Sequence, residues 1–198
     1  MILSILIPTV QGREPMFNSL VESIQRQIDD GYKSKVEVLS LKDNKEISIG
    51  EKRNRLYEMA NGKYSVQIDD DDEVSGSFVT SVVKALRYDV DCVGYHEYGT
   101  GMGRPFRSDF SLRYKEWKSA QGNDLIGGIF KHVRTPFHKT PIRTEIAQSV
   151  KFNDLRFGED HEWAKRIYPL LHTESYINEL MYFYRYQQQD HNTKYGIL

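Results

Sequence analysis

Four consecutive aspartates, Asp69 to Asp72, end the short apolar run Val66-Gln67-Ile68. Like charges side by side repel, so such a cluster calls for a cation or open solvent. A strand ending in Asp-x-Asp offers the hard oxygen ligands that hold Mg2+ or Mn2+. The same residues also suit a solvated acidic turn before the next helix. A second pair of acids is Glu159-Asp160. Trp163, Ile167 and Leu170 mark the inward face of a helix over Glu159 to Leu171, and Asp160 shares that face by spacing. An acid in a helix's first turn is favoured by the dipole and rigidly held, as a general base must be. Capping the helix is its plainer role, and Glu159 suits that equally. Lys52, Arg53 and Arg55 open a helix after Gly50. Cations there oppose the dipole and call for a counter-anion such as a diphosphate. For Arg55, plain solvation is the expectation. His191, in a polar tail, gains a role only beside a metal.

The elements that must position these groups alternate. Ile2 to Ile7 is a continuous apolar run closed by Pro8, as in a strand buried on both faces. Met16, Leu20, Ile24 and Ile28 recur at helical spacing up to Gly31. Val36 to Leu41 makes a strand that stops at Asp43. A helix over Gly50 to Ala60 follows, with Leu56, Met59 and Ala60 inward and Asn61-Gly62 as its stop. Tyr64 to Ile68 is a strand, Ser75 to Tyr88 a helix, and Val90 to Tyr95 a strand. The alternation predicts a parallel, doubly wound, Rossmann-like sheet, in which ligands bind outside the strands' carboxyl ends. Thr9, Asp43 and Asp69 to Asp72 all fall there. Beyond Tyr95 the pattern loosens. Gly99 to Gly103 reads as a turn, and Phe106 to Tyr114 as a strand or hairpin. Gly122 to Gly128 reads as a loop, Phe137 to Arg143 as a strand, and Thr144 to Ser149 as a short helix. His172 to Ile177 and Met181 to Tyr186 read as two strands before a polar tail, 187–198.

A length of 198 residues, 39% of them hydrophobic, suits a single domain with a proper core. The net charge of −1 gives no global pull toward nucleic acid or membrane. Locally, Arg104 to Arg143 holds nine Lys or Arg against three acids. That stretch suits an anionic acceptor (a glycan, a protein or a nucleic acid), or simply faces phosphates and solvent. One cysteine, Cys92, excludes an intramolecular disulfide. No apolar run reaches the length of a membrane span, and the expected setting is cytoplasmic.

Several motifs together resemble the GT-A glycosyltransferases, closest to the family-2 type. They are the opening Ser4-Ile5-Leu6-Ile7-Pro8-Thr9, Asp43 after the second strand, and Gly50 with Arg53-Asn54. Then come Ala60-Asn61-Gly62-Lys63-Tyr64, Ile68-Asp69-Asp70-Asp71-Asp72, Phe157-Gly158-Glu159-Asp160, and His191. Residues 96–136 match no motif of that family. The small chain resembles stand-alone bacteriophage or viral members, which would act in the host cytoplasm. The resemblance implies one GT-A domain over 1–198, with a nucleotide-binding half (1–95) and a smaller acceptor half with the tail (96–198). It implies a metal-dependent, inverting hexosyltransferase using a nucleotide diphosphate sugar, most simply a UDP-sugar. Pro8, Thr9, Arg13, Asp43, Arg53, Asn54, Asp69 and Asp70 would hold the donor. Asp71, Asp69 and His191 would hold Mn2+ or Mg2+. Asp160 would be the base, with Glu159 beside it. The acidic rim also suits a nucleotidyltransferase, or a non-catalytic cation- or sugar-binding module.

Overall fold

Eight residues, Leu3–Val10, form β1, and all but the last are buried, as a continuous apolar run between covered faces requires. The computed structural model describes residues 1–101, 104–155 and 158–185. Next come α1 (Glu14–Asp29), β2 (Val36–Asp43) and α2 (Ile49–Met59), the last capped by Ser48 Oγ accepting from the Glu51 amide at 3.2 Å. Then follow β3 (Tyr64–Gln67), β4 (Glu73–Val74), α3 (Phe78–Ala85), β5 (Cys92–Gly101) and β6 (Arg104–Phe110). The chain continues through β7 (Lys118–Ser119), β8 (His132–Arg134), β9 (Ile142–Arg143), α4 (Thr144–Ser149), α5 (Glu159–Ile167) and β10 (Glu174–Arg185).

The sheet runs β2-β1-β3-β9-β5-β6-β8-β7, with β10 parallel beside β5 and antiparallel to β4. β1 pairs in parallel with both β2 and β3. Helix α1 packs on α3, and α2 on α4. This mixed α/β architecture with a mostly parallel central sheet is of the GT-A type. Pro8 removes no ladder bond. The even residues of β1 bond toward β3, and that strand has ended before Pro8. Among the described residues, no helix is long and apolar enough to cross a membrane.

Several expected elements differ. The expected Val90 to Tyr95 strand is β5, and it is not joined in parallel to β3, because the two-residue β9 intervenes antiparallel to both. Only Ile142–Arg143 of the expected Phe137–Arg143 strand is extended. Phe137 to Thr140 is a turn, because the Thr140 hydroxyl and amide both bond Phe137 O. Gly99 to Gly101 is strand rather than turn, paired to β6. The two C-terminal strands are one, β10, with register shifts between Ile177 and Tyr182. Helix α5 stops at Ile167 and passes into a 3-10 turn, Tyr168–Leu170, around Pro169. Leu170 is therefore exposed rather than inward. Met59 is exposed too, and Tyr57 takes the inward place on α2.

Gly62 marks a close approach. A Cβ built there would lie 2.6 Å from Ser4 N and 2.7 Å from Leu3 C. Both are backbone atoms of β1 that cannot swing aside. Gly62→Ala should therefore destabilise the fold by about 1–3 kcal/mol through overpacking, measured by urea unfolding. An unchanged midpoint would show that β1 yields at this point.

Candidate active site

The four aspartates sit in the turn after β3, where the Asp72 amide bonds Asp69 O at 3.1 Å. Their neighbours divide them. Asp70 is buried, and its oxygens accept from Thr9 Oγ1 at 2.6 Å and Arg13 Nη1 at 2.7 Å. Asp72 is also buried. It accepts from Lys139 Nζ at 2.8 Å, Tyr182 Oη at 2.6 Å and the Arg185 amide at 2.9 Å. Asp69 accepts from Arg53 Nη2 at 2.9 Å, with Lys139 Nζ at 3.6 Å and His138 Nε2 at 3.9 Å. Asp71 has an ion pair with Arg13 at 3.3 Å. Asp69 and Asp71 keep side-chain exposures of 25% and 18%, so these two face the rim.

Charge follows this division. Burial alone would raise Asp69, but the Arg53 guanidinium, with the Lys139 ammonium beyond it, holds it well below the usual carboxylate range. Burial, then the charges of Asp69 and Asp72, push Asp71 up to about 7. Glu97 on β5 is likewise pushed up to about 7 by burial, against the pull of Lys139. Burial would lower the Lys139 ammonium, but Asp72, Glu97 and Asp69 hold it charged. It also lies 4.5 Å and 4.6 Å from the Tyr182 and Tyr184 ring centres. His138, buried beside Arg53, is pulled down to about 4 and is neutral. Neither of its ring nitrogens has a hydrogen-bond partner among the described residues.

The cations opening α2 are compensated from within the protein rather than left for a diphosphate. Lys52 Nζ bonds Thr9 O at 2.7 Å and pairs with Asp43, whose other oxygen accepts from the Ile47 amide at 3.1 Å. Burial alone would raise Asp43, and these bonds keep it below the usual range. Arg53 is buried and bonds Gln67 Oε1 at 3.0 Å as well as Asp69. Arg55 pairs with Glu51 at the surface. Asn54 spends its amide on the backbone of Phe152, at 3.0 Å and 2.7 Å, and so ties α2 to the 152 segment. Pro8 and Thr9 are buried in or at the end of β1. The side chains of Arg53, Asn54 and Asp70 thus also bond within the protein, and Pro8 lies in β1.

Helix α5 is seated by Trp163, which stacks on Phe152 at 4.7 Å and donates to Val150 O at 2.6 Å. Its buried acid is Glu159, with Oε1 3.9 Å from Arg53 Nε. The spacing argument expects Asp160 to face inward, but Asp160 is only half-buried and takes the His161 amide at 2.7 Å. Residues from the stretch that matched no motif come beside it. His161 packs on Trp117 at 4.7 Å, and Arg134 lies 4.8 Å from the Trp117 ring centre. His191 and Phe157 fall outside the described residues. Lys139, His138 and Glu97 were not legible as site residues. A Lys in an expected strand reads as solvated, and only the 137–140 turn reveals its target.

No protein-family model and no curated protein sequence matches the chain. Its fold is similar to S. aureus TarS 1–349 in complex with UDP, at TM-score 0.68 and 18% identity over 98% of this chain and 63% of that one. The same fragment with UDP-GlcNAc gives 0.66 and 15%, over 95% and 59%. The mannosyltransferase PcManGT from Pyrobaculum calidifontis, in complex with GDP-Man and Mn2+, gives 0.57 and 14%, over 91% and 56%. The chain thus spans about three fifths of these neighbours' length.

Asp71 allows a direct test of the rim electrostatics. An unfolded aspartate titrates near about 4, whereas folding raises Asp71 to about 7. Its ionisation therefore opposes folding increasingly as pH rises from the lower value to the higher. Without divalent ions, Asp71→Asn should be more stable than the parent at pH 8 by on the order of 2 kcal/mol, the gap closing toward pH 4. Melting temperatures of both proteins across that range decide it. A parent as stable as the variant at pH 8 would show Asp71 already compensated.

Proposed function

We propose that this chain transfers a sugar from a nucleotide diphosphate sugar to an acceptor hydroxyl, with inversion. The observation that carries this reading is Arg53. Its guanidinium joins Asp69 of the acidic turn, at 2.9 Å, to the first turn of α5, where Glu159 lies at 3.9 Å. Two partly open carboxylates and a candidate base thereby share one rim at the carboxyl ends of parallel strands, where such sheets bind ligands. The likeness to proteins solved with UDP, UDP-GlcNAc or GDP-Man supports the same reading. A UDP-sugar is the preferred donor, since two of those neighbours carry uridine nucleotides.

Among the described residues, no three His, Cys, Asp or Glu side chains are grouped to hold a metal. Asp69 and Asp71 do offer open oxygens in an under-compensated cluster. That set fits Mg2+ or Mn2+ held by one or two carboxylates and completed by substrate phosphates. When bound, such an ion neutralises the diphosphate leaving group. Asp71 and Asp69 are assigned to it, with His191 from the tail. Asp43 and the loop it pins through Ile47 bound the nucleoside end, and Arg13 stands beside Asp71 to face phosphate. Asp160 takes the proton from the acceptor hydroxyl as that oxygen attacks the anomeric carbon opposite the diphosphate. Glu159 fixes Arg53 and, through it, the angle of α5. The first half of the chain holds the donor, and the second, with Trp117, His161 and Arg134 around Asp160, meets the acceptor.

UDP with Mn2+ should raise the melting temperature well above either alone, since ligand at about 100 times its Kd adds about 2.7 kcal/mol. Asp71→Asn should lose that gain. Asp160→Asn should keep it, yet lower kcat for release of UDP from UDP-sugars by roughly two to four orders of magnitude with donor KM little changed. Near-normal kcat in Asp160→Asn would remove it as the base. No stabilisation by any nucleoside diphosphate with metal would overturn the transferase reading.

A further inference from the structure

The other face of the second-half sheet carries an open groove of about 410 Å3. Antiparallel register pairs Glu97 with Ser108 and Tyr95 with Phe110 on one face of β5 and β6. Those residues look toward Lys139 and the core. His96 with Asp109, and Tyr98 with Arg107, occupy the opposite face. The groove lies there, lined by His96, Arg107, Arg113, Phe130, Tyr176 and the pair Asn178-Glu179. The acidic turn and Asp160 take no part in it.

The groove is built around a buried acid. Asp109 is fully buried and accepts from the Tyr176 and Tyr114 hydroxyls, each at 2.5 Å, and from Arg113 Nη2. The Arg113 guanidinium lies 4.7 Å from the Tyr176 ring centre and 5.2 Å from that of Tyr114. It is fixed before any ligand arrives, while its side chain stays half-exposed. Among the described residues its hydrogen bonds to protein use Nη2 alone. Arg107 is exposed and makes no side-chain hydrogen bond or ion pair among the described residues. His96 packs against both Phe130, at 4.8 Å, and Tyr176, at 5.7 Å. The β10 register shift leaves Asn178 and Glu179 unpaired with β5 and exposed at the groove. Bulges commonly re-aim side chains in this way.

We propose that this groove is a binding site for an anionic saccharide unit. The preset guanidinium keeps its Nε and Nη1 donors and its charge for a carboxylate or phosphate, and Arg107 adds a second cation. The aromatic rings meet the C–H face of a sugar. Asn178 and Glu179 accept from its hydroxyls, which a bare inorganic anion would not use. The volume falls in the range of small-ligand sites. The inference stands on the groove alone and holds whether or not the chain is a transferase.

The test is isothermal titration of the intact protein with four probes: a glucuronate-containing disaccharide, a hexose 6-phosphate, a neutral disaccharide and inorganic phosphate. Either acidic sugar, or both, should bind about tenfold or more tightly than the neutral sugar and than phosphate alone; the two acidic arms tell a carboxylate from a phosphate ligand. Arg113→Gln should abolish the preference for the acidic sugar. Because that change uncovers Asp109, Arg107→Gln serves as the second variant; its side chain has no hydrogen-bond or ion-pair partner to lose among the described residues, and it should weaken acidic-sugar binding several-fold at unchanged melting temperature. Both variants should keep the stabilisation, if any, that UDP and Mn2+ give the parent. Equal binding of neutral and acidic sugars, phosphate binding as tight as sugar phosphate, or no effect of Arg107→Gln with none of Arg113→Gln would overturn the proposal.

Discussion

Within hydrogen-bond or ion-pair reach of the Lys139 ammonium lie three carboxylates, those of Asp72, Asp69 and Glu97, at 2.8, 3.6 and 3.8 Å. Lys139 is only 6% exposed. Four aspartates in succession beside a buried glutamate would repel strongly in so poorly solvated a place. Removing one partner from such a buried set costs on the order of 3–5 kcal/mol, because the charges left behind have no water to replace it. Lys139 comes from the turn at 137–140, whose His138 carbonyl accepts from the Gln67 amide at 2.8 Å. The less regular second half of the chain thus supplies the charge that lets the first half end a strand in acids.

The consequence is a sorting of the acids. Lys139 with Tyr182 claims Asp72, while Thr9 with Arg13 claims Asp70. Asp69 is shared between Arg53 and the Lys139 side. What remains open is Asp71 and one edge of Asp69, an excess of negative charge at one point of the rim rather than along the whole turn. A divalent ion would meet that excess directly, and a diphosphate only through such an ion.

The sequence made the scaffold legible because its signal is periodic. The apolar run of β1, the helical spacing of Leu20, Ile24 and Ile28, and Phe78, Val82 and Val83 on α3 are all buried as their patterns imply. The placement of Asp43 and the aspartates at strand ends followed from that alternation. What stayed hidden depends on pairing across the chain. Nothing local says that Arg53 is spent on Gln67 and Asp69, or that Asn54 clips Phe152, 98 residues away. The polar pair Asn178-Glu179 breaks the apolar pattern and reads as a gap between strands, when it is a bulge within one. Spacing points to Asp160 as the inward acid, yet Glu159, four residues before Trp163, is the one the packing buries.

That bulge turns β10 over. Side chains six apart on a regular strand share a face, yet Tyr176 is registered with Gly94 and Tyr182 with Glu97, residues of opposite parity on β5. Each tyrosine hydroxyl reaches a buried carboxylate that also holds a cation: Asp109 with Arg113, and Asp72 with Lys139. The two arrangements are built alike and differ in one physical respect. Lys139 is sealed by Tyr182 and Tyr184, so its charge is consumed inside the protein. Arg113 has its guanidinium half in solvent, with part of its donor set unspent among the described residues. The first is an internal counter-ion of the acidic turn; the second keeps its own charge at the surface.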